Sequence, residues 1–414
     1  MRSLTLFLAV LTAPGCVEQP AQIDPATDKL REVKRVALAP TERLASSSSI
    51  AGGFGAQTIG VFEGRAAIGT STGLLASNTN ALDALAPVQT LSADGGLRDL
   101  GEVVFVGRRG TAGTLVLGDQ GLFHDRSGVL LEAPLSESLR GRQVFTVDSF
   151  GAADAEELWL LSPEGVLHVG GGELRSVSLT GVGAKPEAVL ANGANGALLI
   201  ADGSLYEISL AVHSAVRIGE ALGNVASFER GEDGTAYFAT DDGLLEVSKS
   251  GELRLHTFAP PDMPGLAVSS VAAAAGLVIA STDTDLFSLE SSGAVRIAAH
   301  SGVLTRGLAI DGAGDTFAAT ATTLRRFKTG LPASFAADVK PFFSAHCMAC
   351  HRAGLNGART INFEDYETAK LNAGNVLNRL NAIGISPMPP ATSETLSAAD
   401  YAVVTRWVGG GMAP

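Results

Sequence analysis

The chain is short of cysteine, of aromatic residues and of positive charge. Three cysteines in 414 residues is a small, odd number, so a disulfide framework is excluded and each thiol needs its own explanation. Aromatic residues make up only 6% of the sequence. Lys and Arg number 30 against 43 Asp and Glu, a net charge of −13. A chain that acidic is a poor partner for nucleic acid or an anionic membrane surface. Long apolar runs are missing as well. The longest internal stretch, Ala267–Ala280, is broken by Ser269, Ser270 and Gly276, and a membrane helix needs about 20 apolar residues in a row.

What is present points to a folded, turn-rich protein. Apolar residues reach 46%, and 49 glycines and 17 prolines supply the turns. The length is too great for one ordinary core, so two or more domains are expected. Acidic and basic residues balance from Ser334 onward, which leaves the excess acid on the larger, N-terminal part.

Residues 1–15 read as a secretory signal. Arg2 precedes the apolar run Leu4–Leu11, and Ala13-Pro14-Gly15 precede Cys16. A charged start, a run of about 7–15 apolar residues and small residues at the cut are what export requires. Cys16 directly after Gly15 resembles a bacterial lipoprotein processing site and is the expected lipidated residue. Ordinary signal peptidase would cut the same bond and leave a free thiol. An exported, periplasmic or outer-membrane-anchored protein follows, touching a membrane only through a lipid.

Between the ends a phrase recurs: apolar strand, small polar turn, apolar strand. It stands as AAIGTSTGLLAS from Ala66, LWLLSPEGVLHV from Leu158 and AYFATDDGLLEV from Ala236. The position after each turn is Leu74, Leu122, Val166, Leu205, Leu244, Leu286 and Leu324. A spacing of about forty residues with strand periodicity reads as an all-β seven-bladed propeller over 30–330. The seventh unit lacks an evident fourth strand, and the unassigned stretch Glu32–Leu38 is expected to pair outside Leu324–Phe327 and complete it. Arg108, Arg109, Asp148, Glu229, Arg230 and Asp311 fall at or beside innermost strands and are candidates to line the central channel. His124, His168, His213, His256 and His300 have no metal-ligand spacing. The Asp/Gly turns at Asp311–Asp315 and Glu232–Gly234 are what tight turns demand, without the fuller ligand loop of a calcium site.

The C-terminal part carries the chemistry. Cys347-Met-Ala-Cys350-His351 fits the haem c attachment pattern. Two thiols one short turn apart reach both vinyl groups on one porphyrin edge, and the next residue places an imidazole at the iron. A thioredoxin-like pair would need a βαβ surround that is missing. A structural zinc site would need two further Cys or His ligands, and only His346 is near. Val339, Phe342, Phe343 and His346 have helical spacing ahead of the motif, with Pro341 either starting or bending that helix. A second helix is expected over Ser397–Val408, with Trp407 as core packing. Between them, Met388 lies in Ser386-Pro-Met-Pro-Pro390 and is the best distal iron ligand. Water or a histidine such as His346 is the alternative.

Two resemblances follow. The repeat phrase is similar to the propeller repeats of bacterial two-component-regulator sensors. The C-terminal segment resembles small single-haem cytochrome c domains fused to other modules in exported bacterial proteins, on Asp338–Pro341, the Cys347–His351 motif, Met388-Pro-Pro390 and Trp407-Val-Gly-Gly. That second resemblance implies electron transfer, with the methionine of the Met-Pro-Pro loop as sixth ligand. The expected organisation is a signal peptide at 1–15, a linker at 16–29, the propeller at 30–330 and a small all-α cytochrome c domain at 334–414. The expected function is a one-electron carrier with one covalent haem c held by Cys347, Cys350, His351 and Met388. Redox proteins would be its partners, and the propeller would be a docking or ligand-binding scaffold. The alternative is a quinoprotein-like propeller dehydrogenase that passes electrons to its own haem. It would need converging Arg, His, Asp and calcium ligands, and no such constellation is legible.

Overall fold

The computed structural model describes most of residues 21–351, with breaks, then 361–380, 403–404, 406–408, 412 and 414. Seven sheets follow one another along the chain. Blade 1 begins at Thr58–Phe62, blade 2 at Val103–Arg108, blade 3 at Thr146–Phe150 and blade 4 at Pro186–Ala191. Blade 5 begins at Val225–Arg230, blade 6 at Ser270–Ala274 and blade 7 at Leu308–Ile310. Each continues by antiparallel hairpins.

The recurring phrase is the second and third strands of each blade with the turn between them. Blade 5 shows why its glycine is needed. Gly243 opens the third strand at φ +142°, and a Cβ there would run into the carbonyl of His256. Only glycine accepts that conformation without cost.

The core is divided between the blades. Seven apolar clusters sit in the seven gaps between neighbouring blades. The one between blades 4 and 5 joins Leu190, Leu198 and Ile200 to Phe238, Leu245 and Leu253. The one that closes the ring joins Ile59 and Ile68 of blade 1 to Phe317 and Leu324 of blade 7. An eighth cluster is built only from residues between Ala333 and Met412. The C-terminal segment thus has a core of its own.

The N-terminal residues differ from expectation. Ala21–Ile23 and Thr27–Asp28, within the stretch read as a linker, are strands. Ala21–Ile23 pairs in parallel with the outermost strand of blade 3, and Thr27–Asp28 with that of blade 4. Val33–Val36 pairs with blade 5 and Thr41–Glu42 with blade 6, again in parallel. Ser47–Ala51 then pairs antiparallel with Thr323–Phe327 and completes blade 7. The described strands between Ala21 and Ala51 therefore form a strap along the rims of five consecutive blades.

The ring is closed by the N-terminal part, but by Ser47–Ala51 and not by Glu32–Leu38. The described part of that stretch belongs to blade 5. The alternation of Val33-Lys-Arg-Val36 matches a rim strand as well as a closing one, and four serines or alanines conceal the true closing strand. A polar fourth strand suits an edge, where apolar residues invite aggregation. Arg31 pins the strap between blades 4 and 5, donating to Gly251 O at 3.0 Å and to Glu207 at 2.8 Å.

Candidate functional site

The C-terminal motif is delivered by a short helix. Ser334 and Asp338 cap its entrance reciprocally. Ser334 Oγ accepts from Ala337 N at 3.0 Å, and Ser334 N donates to Asp338 at 2.8 Å. One π turn, Phe335–Val339, leads into the α-helix Lys340–His346. Pro341 sits in the first turn of that helix, where its missing N–H costs nothing. The proline starts the helix and does not bend it. Val339, Phe342 and Phe343 are buried, as the helical spacing requires.

The helix runs straight into the thiols. Cys347 N and Met348 N both donate to Phe343 O at 2.8 Å. The chain then turns back on itself, with Cys350 N and His351 N donating to Cys347 O at 3.1 and 3.0 Å. One carbonyl thus gathers both cysteines and the histidine into a single turn. Cys347 is half-buried and Cys350 exposed, and neither is in a disulfide. Burial, with Cys350 adjacent, pushes the Cys347 thiol up to about 11. His351 is half-buried, and its Nδ1 is enclosed without a hydrogen-bond partner. The Phe363 ring lies 5.1 Å from the imidazole, and Phe363 N donates to His351 O at 3.1 Å.

Around this turn the eighth core is aromatic. Phe343 and Phe363 stack at 4.4 Å, and Phe335 contacts Tyr366 at 5.6 Å and Trp407 at 5.9 Å. Trp407 is fully buried, in agreement with its reading as core. Of the expected helix over Ser397–Val408, the described residues Val403, Val404, Arg406, Trp407 and Val408 are helical. Asp365 caps the helix Tyr366–Leu371, accepting from Thr368 N at 2.9 Å and Thr368 Oγ1 at 2.7 Å, which lowers its carboxyl from the usual range.

The donor set suits haem c. Two free thiols and one imidazole brought into a single turn are what covalent attachment and one axial bond require. Among the described residues, no group of three or more His, Cys, Asp or Glu could hold a metal ion by itself. Met388 and Cys16 lie outside the described residues. Phe363 was not legible as a site residue. Phe363 follows a stretch of sequence with no periodicity, so no sequence signal placed it against His351.

In the propeller, two of the candidate channel residues come together. Arg230 of blade 5 donates to Ala191 O of blade 4 at 2.7 Å and to Asp148 of blade 3 at 2.9 Å. It also donates to Ser149 O of blade 3. Asp148 in turn accepts from Ala191 N at 2.9 Å. Burial pushes the Asp148 carboxyl up, against the pull of Arg230 and of the Ala191 amide. This clasp ties three blades together. Asp311 accepts from Asp315 N within its own turn. Arg109 lies outside the described residues. Two of the scattered histidines, both buried, bond carboxylates on the neighbouring strand: His168 with Glu157 at 2.5 Å and His256 with Glu246 at 2.8 Å.

No protein-family model matches the chain, and neither does any curated protein. Among solved structures, it is similar to virginiamycin B lyase from Staphylococcus aureus, at 10% identity and a TM-score of 0.47, over 68% of this chain and 98% of that one. It is also similar to the extracellular domain of a hybrid two component system from B. thetaiotaomicron, at 16% identity and a TM-score of 0.48, over 68% of this chain and 39% of that one. PorZ of Porphyromonas gingivalis gives 11% identity and a TM-score of 0.45, over 66% and 36%. The seven blades rest on the strand pairing itself, and activity is not carried across at such identities.

Proposed function

We propose that residues 334–414 are a c-type cytochrome domain with one covalent haem, and that the protein is a one-electron carrier of the bacterial cell envelope. The propeller is then a docking or ligand-binding scaffold for its redox partners. The observation that carries this reading is the Cys347–His351 turn. It gathers two free thiols and an imidazole on one carbonyl, at the end of a helix packed in its own aromatic core.

In this reading Cys347 and Cys350 would hold the haem edge through thioethers, and the His351 imidazole and the Met388 sulfur would bind its iron. Bound there, haem supplies reversible one-electron chemistry, and a thioether ligand raises its potential. The residues of the chain set the conditions. Phe343 and Phe363 form an apolar wall beside His351, and such a wall favours the less charged state. Cys350 is exposed, so a haem attached there would present its edge toward solvent, within reach of a partner.

Denaturing electrophoresis with haem staining tests the reading directly. Wild type made in cells with a working haem-attachment system is expected to give a stained band. The Cys347→Ser, Cys350→Ser double variant is expected to lose the stain while the protein band remains. An unstained wild-type band overturns the proposal. Export through the N-terminal signal is checked separately by mass spectrometry of the mature chain. An acylated Cys16 as first residue is expected, and an unmodified Cys16 refutes the lipid anchor alone.

A further inference from the structure

We infer that Phe363 is the positioning residue that fixes the plane of the His351 imidazole. The inference rests on the haem reading above and adds a residue to it. A histidine on iron is ordinarily oriented by a hydrogen bond to its other ring nitrogen. Here Nδ1 of His351 is enclosed and has no such partner, so the orientation of the ring falls to packing.

Phe363 supplies that packing from two directions. Its amide donates to His351 O at 3.1 Å, which holds the backbone. Its ring lies 5.1 Å from the imidazole with the planes 46° apart, which limits rotation of the side chain. The Phe363 ring is itself held. It is 6% exposed and stacks on Phe343 at 4.4 Å with the planes 15° apart. Phe343 is fully buried on the helix that leads into the motif, and its carbonyl takes the amides of Cys347 and Met348. The contacts therefore form a closed circuit: Phe343 to Cys347 along the chain, Cys347 to His351 by hydrogen bond, His351 to Phe363, and Phe363 back to Phe343. Only the aromatic ring at 363 closes it.

The plane of an axial imidazole shapes the electronic splitting of low-spin ferric haem, so electron paramagnetic resonance reads the proposed role without any assay of electron transfer. The comparison uses full-length, haem-loaded wild type, Phe363→Ala, Phe363→Leu and Phe363→Tyr. Phe335→Leu is the control. Phe335 belongs to the same core and touches Phe343, Tyr366 and Trp407. In Phe363→Ala and Phe363→Leu the largest g value is expected to shift and the signal to broaden. Phe363→Tyr, which keeps the ring, is expected to restore the wild-type value. Phe335→Leu is expected to lower the melting temperature and leave the g values alone. Wild-type g values in Phe363→Leu overturn the inference, as does an equal shift in Phe335→Leu, which would mark a general loss of packing. If Phe363→Ala fails to retain haem, the leucine and tyrosine variants decide. A wild type without covalent haem fails already at the staining step and removes the underlying reading with it.

Discussion

The Arg230→Met propeller melts roughly 6–12 °C below wild type. The figure follows from about 3 kcal/mol for breaking an enclosed ion pair, at about 2–4 °C per kcal/mol for a domain of this class. Arg230 and Asp148 are only 16% and 18% exposed, so water cannot replace what the substitution removes. Three acceptors on two other blades lose their donor at once. Exposed pairs such as Arg175–Glu173, at 53% and 66%, contribute about 0–1 kcal/mol by comparison.

The loss is pH-dependent, with a definite sign. Burial already pushes the Asp148 carboxyl above its usual 3.8, and without the guanidinium nothing cationic opposes it. A carboxyl whose folded pKa exceeds its unfolded one binds its proton more tightly in the folded state. Its contribution is present at low pH and is lost as pH rises from 3.8 through the raised folded value. Melts at pH 4.5 and 7.5 therefore give a larger deficit against wild type at 7.5. An equal deficit at both, or none at either, shows that the clasp is not a stabilising ion pair.

Reduced Met388→Ala binds carbon monoxide on the order of a hundredfold faster than wild type, equivalent to about 2.7 kcal/mol of lost barrier. In the proposed haem reading, the Met388 thioether would occupy the position a diatomic takes. Removing it opens that position while Cys347, Cys350 and His351 still hold the group. Stopped-flow mixing of the reduced proteins with carbon monoxide makes the measurement. Equally fast binding in wild type shows that Met388 is no ligand.

The blades were legible in the sequence because their signal is local. A hairpin writes its own turn: the glycine of Asp241-Asp-Gly243 is forced by a carbonyl that a side chain would strike. The strap was not legible, because its signal is borrowed. Thr27–Asp28 and Thr41–Glu42 are two residues long and are strands only because a finished blade offers them an edge. Ser47–Ala51 is serine-rich and reads as loop. At the candidate site the same division holds. The two cysteines and the histidine announce themselves by spacing, and the helix before them by periodicity. Phe363 meets His351 through tertiary packing that no spacing encodes. The Arg230–Asp148 clasp was visible only as two charges at or beside inner strands, since their pairing spans blades 3 and 5.

The strap also sets the order in which the molecule can be finished. Arg31 finds Gly251, 220 positions later, and Lys34 finds Glu252, 218 positions later. Ser47–Ala51 waits for Thr323–Phe327. A ribosome makes these early strands long before their partners exist, so each strap strand must wait for its own blade to emerge. Contacts of such sequence separation close slowly and late. Until residue 327 has emerged, Ser47–Ala51 has no partner and the ring cannot close.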